Sequence, residues 1–100
     1  MIKHIVLWRL HDEADGHTKA DNAARIKEGL EALAGCVPGL LGIEVGVDLS
    51  DDPDTADLVL YSEFADRDAL HAYHLHPRHQ ALIPLVKACR SERRVLDYEA

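Results

Sequence analysis

The fold is decided by the opening stretch of the chain, residues 2–10, IKHIVLWRL. Side chains on a β-strand point alternately to its two faces, and this stretch alternates with that period. One face consists of Ile2, His4, Val6, Trp8 and Leu10. The opposite face consists of Lys3, Ile5, Leu7 and Arg9. Because both faces are apolar in mid-strand, we expect this strand to be covered on two sides.

Length and composition predict one domain covering residues 1–100. The chain is 47% hydrophobic, which is enough for a core of its own. Its net charge of −7 comes from 18 acidic and 11 basic residues, and the basic ones form no extended patch. We therefore predict no nucleic-acid partner and no membrane partner, since both attract basic surfaces. No signal-like opening or long apolar run occurs, so a cytoplasmic location is expected.

The two cysteines are too few and too far apart in sequence to define a disulfide framework or a zinc site. We expect Cys36 and Cys89 to be buried, reduced thiols.

The rest of the chain predicts the order strand, helix, strand, strand, helix, strand. The predicted strands are 2–10, 41–47, 58–64 and 94–99, with helices from 19 to about 34 and from 67 to about 76. Thr18, with Asp21 three residues later, and Asp66 are predicted N-caps. A polar break is expected at 11–16. A helical segment is expected at about 78–90, in which Pro84 produces either a kink or two short turns.

This order predicts an α+β fold of the ferredoxin-like βαββαβ type. Two right-handed βαβ halves give a four-stranded antiparallel sheet with both helices on one face. The other face then presents apolar side chains, namely Ile5, Leu7, Val59 and Tyr61. We expect a second copy of the chain to cover them, which makes a homodimeric α/β barrel.

Four of the seven histidines lie within nine residues: His71, His74, His76 and His79. A metal ion needs ligands that converge on one point, and Pro77 turns the chain between His76 and His79. No matching Asp, Glu or Cys pattern accompanies them. We therefore predict no metal site, and we expect His71 and His74 on the solvated face of the second helix.

A candidate pocket lies between the sheet and the helices. His4 shares a strand face with Val6 and Trp8, Tyr73 points inward from the second helix, and His79 begins the next segment. A neutral imidazole can remove a proton α to a carbonyl while a Tyr hydroxyl or a second His stabilises the enolate oxygen, without a cofactor. The predicted catalytic residues are thus His79, Tyr73 and His4. The predicted substrate-binding residues are Val6, Trp8, Leu58, Leu60 and Leu82.

A purely structural role for the same residues stays open. His4 can be a core histidine bonded to a backbone carbonyl, and His76 can fix the turn at Pro77. Tyr73 and His79 would then hydrogen-bond to one another.

Several motifs together resemble the stress-responsive dimeric α/β-barrel family. They are the opening Met1-Ile2-Lys3-His4-Ile5-Val6-Leu7, Val37-Pro38-Gly39, Glu44-Val45-Gly46, Tyr73 ahead of His76-Pro77-Arg78-His79, and the ending Leu96-Asp97-Tyr98-Glu99. The resemblance runs nearly end to end. It implies a ferredoxin-like protomer and a dimer whose two sheets close into a barrel.

The resemblance implies less about function than about fold. Many members of that family are small proteins of unassigned activity, and plant members are associated with stress responses. One plant branch, the olivetolic acid cyclases, closes a linear polyketide by aldol condensation without a cofactor. The residues implicated there align with Tyr73 and His79, and a further pocket histidine aligns with His4. Leu58 replaces another histidine of that pocket, and Ala23 and Ala24 replace larger side chains, which argues against the same substrate.

Three functions are therefore compatible with the sequence. The first is a small-molecule pocket with cofactor-independent cyclase or isomerase chemistry on a carbonyl or polyketide-like compound. The second, by analogy of fold, is a cofactor-free quinol-type monooxygenase. The third is a non-enzymatic stress protein that acts as the stable dimer itself.

Overall fold

Two βαβ halves follow one another along the chain in a computed structural model that describes residues 1–100. The first half contains β1 (Ile2–Leu10), a small hairpin of β2 (Glu13–Ala14) and β3 (His17–Thr18), α1 (Lys19–Glu31) and β4 (Leu40–Val47). The second contains β5 (Leu58–Phe64), α2 (Arg67–Leu75), α3 (Pro77–Gln80), α4 (Ile83–Cys89) and β6 (Arg90–Glu99). None of the helices has both the length and the apolar character needed to span a bilayer.

The four long strands form one antiparallel sheet in the order β4-β5-β1-β6. β1 is therefore an inner strand, and His4 on it lies opposite Ser62 of β5 and Asp97 of β6. The predicted α+β, ferredoxin-like fold is confirmed, and the register decides which side chains surround the residues of β1.

The core lies between one face of the sheet and the helices. Along β1 and β5 every second residue is buried, as the period of a strand requires. α1 contributes Ala23, Ile26 and Leu30, which recur at helical spacing on its inner face. Phe64 and Tyr73 are completely buried in the same cluster.

Both predicted N-caps form. The Thr18 hydroxyl accepts a hydrogen bond from the Asp21 amide at 3.2 Å, and the Asp66 carboxylate accepts one from the Ala69 amide at 2.8 Å. α2 ends at Leu75 because His76, which precedes a proline, is extended with ψ 134°. These caps fix where α2 begins and ends, and hence where its inward-facing residues lie.

The segment after α2 takes the second of the two forms that the sequence predicts. It forms two separate short helices, and each has a proline in its first turn, Pro77 in α3 and Pro84 in α4. Proline is well accommodated there because the first-turn amides of a helix have no partner within it. The two prolines therefore begin helices here.

Three predictions need correction. β6 begins at Arg90, earlier than the predicted residue 94, because its pairing with β1 extends to Leu10 opposite Arg90. The predicted polar break holds the β2–β3 hairpin, whose turn uses positive φ at Asp15 and Gly16. Cys36 is exposed, whereas Cys89 is buried.

The sheet face opposite the helices is largely uncovered in the protomer. Leu7 is 42% exposed, Leu96 60% and Tyr98 42%. Ile5 lies opposite Leu96 and is half-buried, as are Val59 and Tyr61 on β5. The four residues expected on the second face therefore do lie there, away from the helices.

Candidate functional site

A cavity of about 270 Å³ lies between the sheet and the helices. We call it the central cavity. His4, Val6 and Trp8 of β1 and Leu60 of β5 line its sheet side. Leu30 of α1 and the segment Leu82, Ile83 and Val86 line its helix side. This volume is just under the lower end, about 300 Å³, of the range for ligand pockets, so only a small molecule would fit.

Alternation along β1 directs three side chains to this cavity. His4 is 3% exposed and Trp8 is 5% exposed, with Val6 between them on the same face. Ser62 on the neighbouring strand donates its hydroxyl proton to the backbone carbonyl of His4 at 2.9 Å. The backbone that carries His4 is thus held by a buried side chain as well as by the sheet.

Two helices bring a cluster of aromatic and imidazole rings against His4. Tyr73 is fully buried, and its ring centroid is 4.4 Å from that of His79 and 6.2 Å from that of His4. The His74 ring lies 5.3 Å from the His4 ring. The three residues predicted as catalytic, His79, Tyr73 and His4, therefore lie together at one end of the cavity.

His74 was expected on the solvated face of α2, and that expectation is wrong. It lines the cavity, whereas His71 is exposed as predicted. Successive helical residues are turned by about 100°, so a residue next to the fully buried Tyr73 lies on the flank of the inner face. That flank is enclosed here because α3 folds back and brings His79 within 5.7 Å of the His74 ring.

Asp97 is a site residue that the sequence analysis missed. Its carboxylate Oδ1 is hydrogen-bonded to Nδ1 of His4 across the β1–β6 pair. With Nδ1 directed to a carboxylate, His4 keeps Nε2 for a ligand. The only signal was the strand register, which had to be known before a carboxylate on the last strand could be placed beside His4.

His79 is oriented by the end of α2. Its Nδ1 is 3.3 Å from the carbonyl oxygen of His74, which also accepts a hydrogen bond from the side-chain Nε2 of Gln80 at 2.5 Å. A proton on Nδ1 then leaves Nε2 of His79 as an acceptor. His76 fixes the intervening turn, since its Nδ1 accepts the Arg78 amide proton at 3.1 Å.

Burial keeps these groups neutral. It is the largest cause that lowers the pKa of His74 and of His79 below the usual 6.5. Positive charge on His4 lowers the pKa of both further, and the charge of Arg93 adds a smaller effect in the same direction. Burial also raises the pKa of Tyr73 to about 12. At neutral pH the cavity therefore offers two neutral imidazoles and a protonated phenol.

Two buried polar atoms at the cavity have no hydrogen-bond partner, the hydroxyl of Tyr73 and the indole nitrogen of Trp8. A buried polar group without a partner costs about 1–3 kcal/mol, so native proteins seldom leave one. Both residues belong to the cavity lining, but the two atoms are themselves buried, so a ligand contacts them only when the neighbouring side chains move. Tyr73 and His79 do not satisfy one another, although their rings are in contact.

Of the five predicted substrate-binding residues, Val6, Trp8, Leu60 and Leu82 line the cavity. Leu58 is buried but lies outside the lining. The cationic residues Lys87, Arg90 and Arg93 also line it and were not predicted.

Tyr73→Phe is expected to leave the protein as stable as the wild type or to stabilise it by up to about 1 kcal/mol, because it removes a buried hydroxyl without a partner. Tyr61→Phe is the comparison. It removes a hydroxyl that donates to Glu63 at 2.9 Å, and should cost about 0.5–1.5 kcal/mol. Urea unfolding at equal protein concentration measures both. A loss above about 1 kcal/mol in Tyr73→Phe would mean that the hydroxyl is satisfied.

This chain is similar in sequence and in fold to known proteins. Residues 2–100 match the family model described as the stress responsive A/B barrel domain. The uncharacterized protein SCO4036 of Streptomyces coelicolor is 36% identical over 85 residues, which are 85% of this chain and 86% of that protein. A dimeric protein of unknown function with a ferredoxin-like fold from Bacteroides fragilis has a TM-score of 0.87 at 33% identity, covering 99% of this chain and 95% of that one.

A dimeric ferredoxin-like protein of unknown function from Thermobifida fusca has a TM-score of 0.84 at 24% identity, over 99% of this chain and 90% of that one. A structure described as an antibiotic biosynthesis monooxygenase has a TM-score of 0.78, also at 24% identity, over 100% and 98%. Likeness at this identity shows a shared fold, which many functions use. The family model, in contrast, matches nearly the whole chain, and this chain therefore belongs to the stress responsive A/B barrel domain family.

Proposed function

We propose that the central cavity binds a small carbonyl compound and catalyses proton transfer at the carbon next to its carbonyl group. The observation that carries the proposal is the buried, unpartnered hydroxyl of Tyr73 beside the neutral imidazole of His79. One is a hydrogen-bond donor without an acceptor, and the other is a base in its unprotonated form.

The proposed reaction balances without a cofactor. Nε2 of His79 takes the α proton, and the C–H electron pair moves into the enolate, whose oxygen accepts a hydrogen bond from Tyr73. In an aldol closure the enolate carbon bonds to a second carbonyl carbon, and the new alkoxide takes the proton back from the His79 imidazolium. In an isomerisation the proton returns to another carbon.

His4 is proposed as the second acid–base group. Asp97 holds its Nδ1 and fixes the ring, so Nε2 can accept a proton from the ligand and return it. An aldol closure benefits from such a pair, because Nε2 of His4 can take the proton from the His79 imidazolium and pass it to the new alkoxide. A polyketide-like substrate, with several carbonyl groups along one chain, suits this arrangement.

The test uses 4-acetylbenzamide, a neutral methyl ketone, as the probe. In D2O, exchange of its methyl protons is followed by proton NMR with and without the protein. We expect an acceleration over buffer of at least about 10²-fold, the lower end for a positioned acid–base group. Oxygen consumption with a hydroquinone and no exchange would favour a monooxygenase, and neither activity would favour a non-enzymatic dimer.

The exchange rate should rise with pH through a midpoint below 6.5 and be level at neutrality. His79 acts only when it is unprotonated, and burial lowers its pKa below 6.5. Protonation at lower pH therefore removes the base. The pH–rate profile in 4-acetylbenzamide measures the midpoint, and a midpoint above 6.5 would exclude His79 as the base in its present environment.

We further propose that two copies of the chain pair through the uncovered sheet face. The exposed apolar residues Leu7, Leu96 and Tyr98 support this, as does the description of similar structures as dimeric. In such a dimer the two sheets pack face to face and bury these side chains. The helices and the central cavity would lie outside the pair of sheets.

Leu96→Asp is expected to weaken the homodimer by about 10-fold or more, because it buries a charge in the proposed interface. Leu75→Asp is the matched control, since Leu75 is similarly exposed at 63% but lies on α2. Sedimentation over a range of concentrations measures both. Equal weakening by the two variants would contradict pairing through the sheet.

A further inference from the structure

The charged residues on the central cavity all have one sign. Its lining contains Lys87, Arg90 and Arg93 and no Asp or Glu, although the chain carries 18 acidic residues against 11 basic ones. The carboxylate nearest to the lining histidines, that of Asp97, is hydrogen-bonded to His4. In a chain of net charge −7, a cavity lined only by cations and neutral groups is a local departure from the rest of the surface.

These three cations have no protein partner. Four of the other eight Lys and Arg side chains form ion pairs with carboxylates, for example Arg25 with Asp15 and Lys27 with Glu31. No ion pair or side-chain hydrogen bond is formed by Lys87, Arg90 or Arg93. Their charges are therefore available to a ligand in the cavity.

Two of the cations lie farther along the sheet than His4. Arg93 is paired with Trp8 across the sheet and Arg90 with Leu10, whereas His4 is paired with Asp97. His4 and Trp8 are four positions apart on β1, which is about 13 Å along the backbone at roughly 3.3 Å per residue. Apart from the cations and the three histidines, the cavity lining is mostly apolar.

We propose that the ligand of the central cavity carries an anionic group, a carboxylate or a phosphate, which Arg93, Arg90 and Lys87 bind while its carbonyl oxygen reaches Tyr73. The inference rests on the proposed function and adds the substrate class, an anionic carbonyl compound with an apolar body. Guanidinium groups suit both anions, because their planar donors can bind two oxygens at once. A cleft lined by one sign of charge also concentrates ligands of the opposite sign.

The same charges assist the proposed chemistry. An enolate is an anion, so cations within the cavity stabilise it relative to the neutral ketone. Arg93 also acts on the imidazoles, since its charge helps to keep His74 and His79 unprotonated. The charge of Arg93 thus contributes both to ligand binding and to keeping the base, His79, unprotonated.

Three probes of matched shape test the inference. They are 4-acetylbenzoate, the neutral 4-acetylbenzamide and 4-acetylphenyl phosphate. Trp8 is the only tryptophan of the chain and lines the cavity, so its indole N–H resonance reports binding by NMR titration. We expect an anionic probe to bind at least about 10-fold more tightly than the amide, as a charge-assisted hydrogen bond provides. Which of the two anions binds better identifies the group.

Arg93→Gln should reduce the ratio of the affinity for the anionic probes to the affinity for the amide. Arg94→Gln is the matched control. Arg94 is paired with Leu7, which places it on the opposite face of the sheet. An equal loss of preference in Arg94→Gln would overturn the inference, because it would reflect only the overall charge of the chain.

The outcomes separate this inference from the proposed function. If neither anionic probe binds more tightly than the amide and the methyl protons of all three exchange equally, the anion site is overturned and the proton-transfer site stands. If an anionic probe binds at least 10-fold more tightly but its methyl protons do not exchange, the anion site stands and the catalysis is overturned. If no probe at millimolar concentration moves the Trp8 resonance, both are overturned.

Discussion

Replacing His79 by Ala is expected to slow methyl-proton exchange of 4-acetylbenzamide by about 10²–10⁴-fold, to the rate in buffer at the upper end. The expectation follows from its position. His79 contacts Tyr73, its Nδ1 is held by the carbonyl of His74, and Nε2 is the nitrogen left for a substrate proton. The replacement removes the base while leaving the sheet and α1 untouched.

The control is His71→Ala, which removes an exposed histidine of α2 and should change the exchange rate less than about 2-fold. Tyr73→Phe should slow exchange by about 10²–10³-fold, the loss typical of removing one oxyanion donor. The same variant is expected to keep its stability, so its loss of rate cannot be attributed to unfolding. If the methyl protons exchanged at the wild-type rate with both His79→Ala and His71→Ala, His79 would not be the base, and His4 would be the next candidate.

The fold was largely predictable because its signals are local. A period of two predicts β5 at its observed bounds, Leu58–Phe64, without any knowledge of its neighbours. The caps at Thr18 and Asp66 are equally local, because each side chain bonds an amide three residues away. The faces of β1 followed from the same alternation, and with them the position of His4.

The site was predictable only in part, because it depends on which strands and helices meet. Asp97 and Arg93 face the helix side only through the register of β6 against β1, and neither has a local signal. His74 was assigned to solvent because the helical pattern of α2 says nothing of the chain that later covers its flank. The cavity itself is a property of packing, since the same apolar residues could have filled the space.

Gly39→Ala is expected to destabilise the fold by about 2–5 kcal/mol, combining the cost of a left-handed backbone with that of overpacking. Gly39 has φ +81°, a conformation that residues with a Cβ rarely adopt. A Cβ added there would lie 2.5 Å from the Cβ of Ala69 on α2. An alanine Cβ is fixed to its backbone, so α2 itself would have to move.

Gly35→Ala separates the two costs, because Gly35 also has a positive φ, +74°, but a Cβ there would meet nothing within 4 Å. It should lose only about 1–2 kcal/mol. The difference between the variants in urea unfolding measures how closely the turn before β4 approaches α2. Ala69 lies one helical turn before Tyr73, so a displaced α2 should also shift the Trp8 indole resonance in Gly39→Ala and not in Gly35→Ala. Equal losses in the free energy of unfolding for the two variants would mean that α2 moves away from the added methyl group at little cost. The contact at Gly39 would then not determine the position of Tyr73 relative to His4.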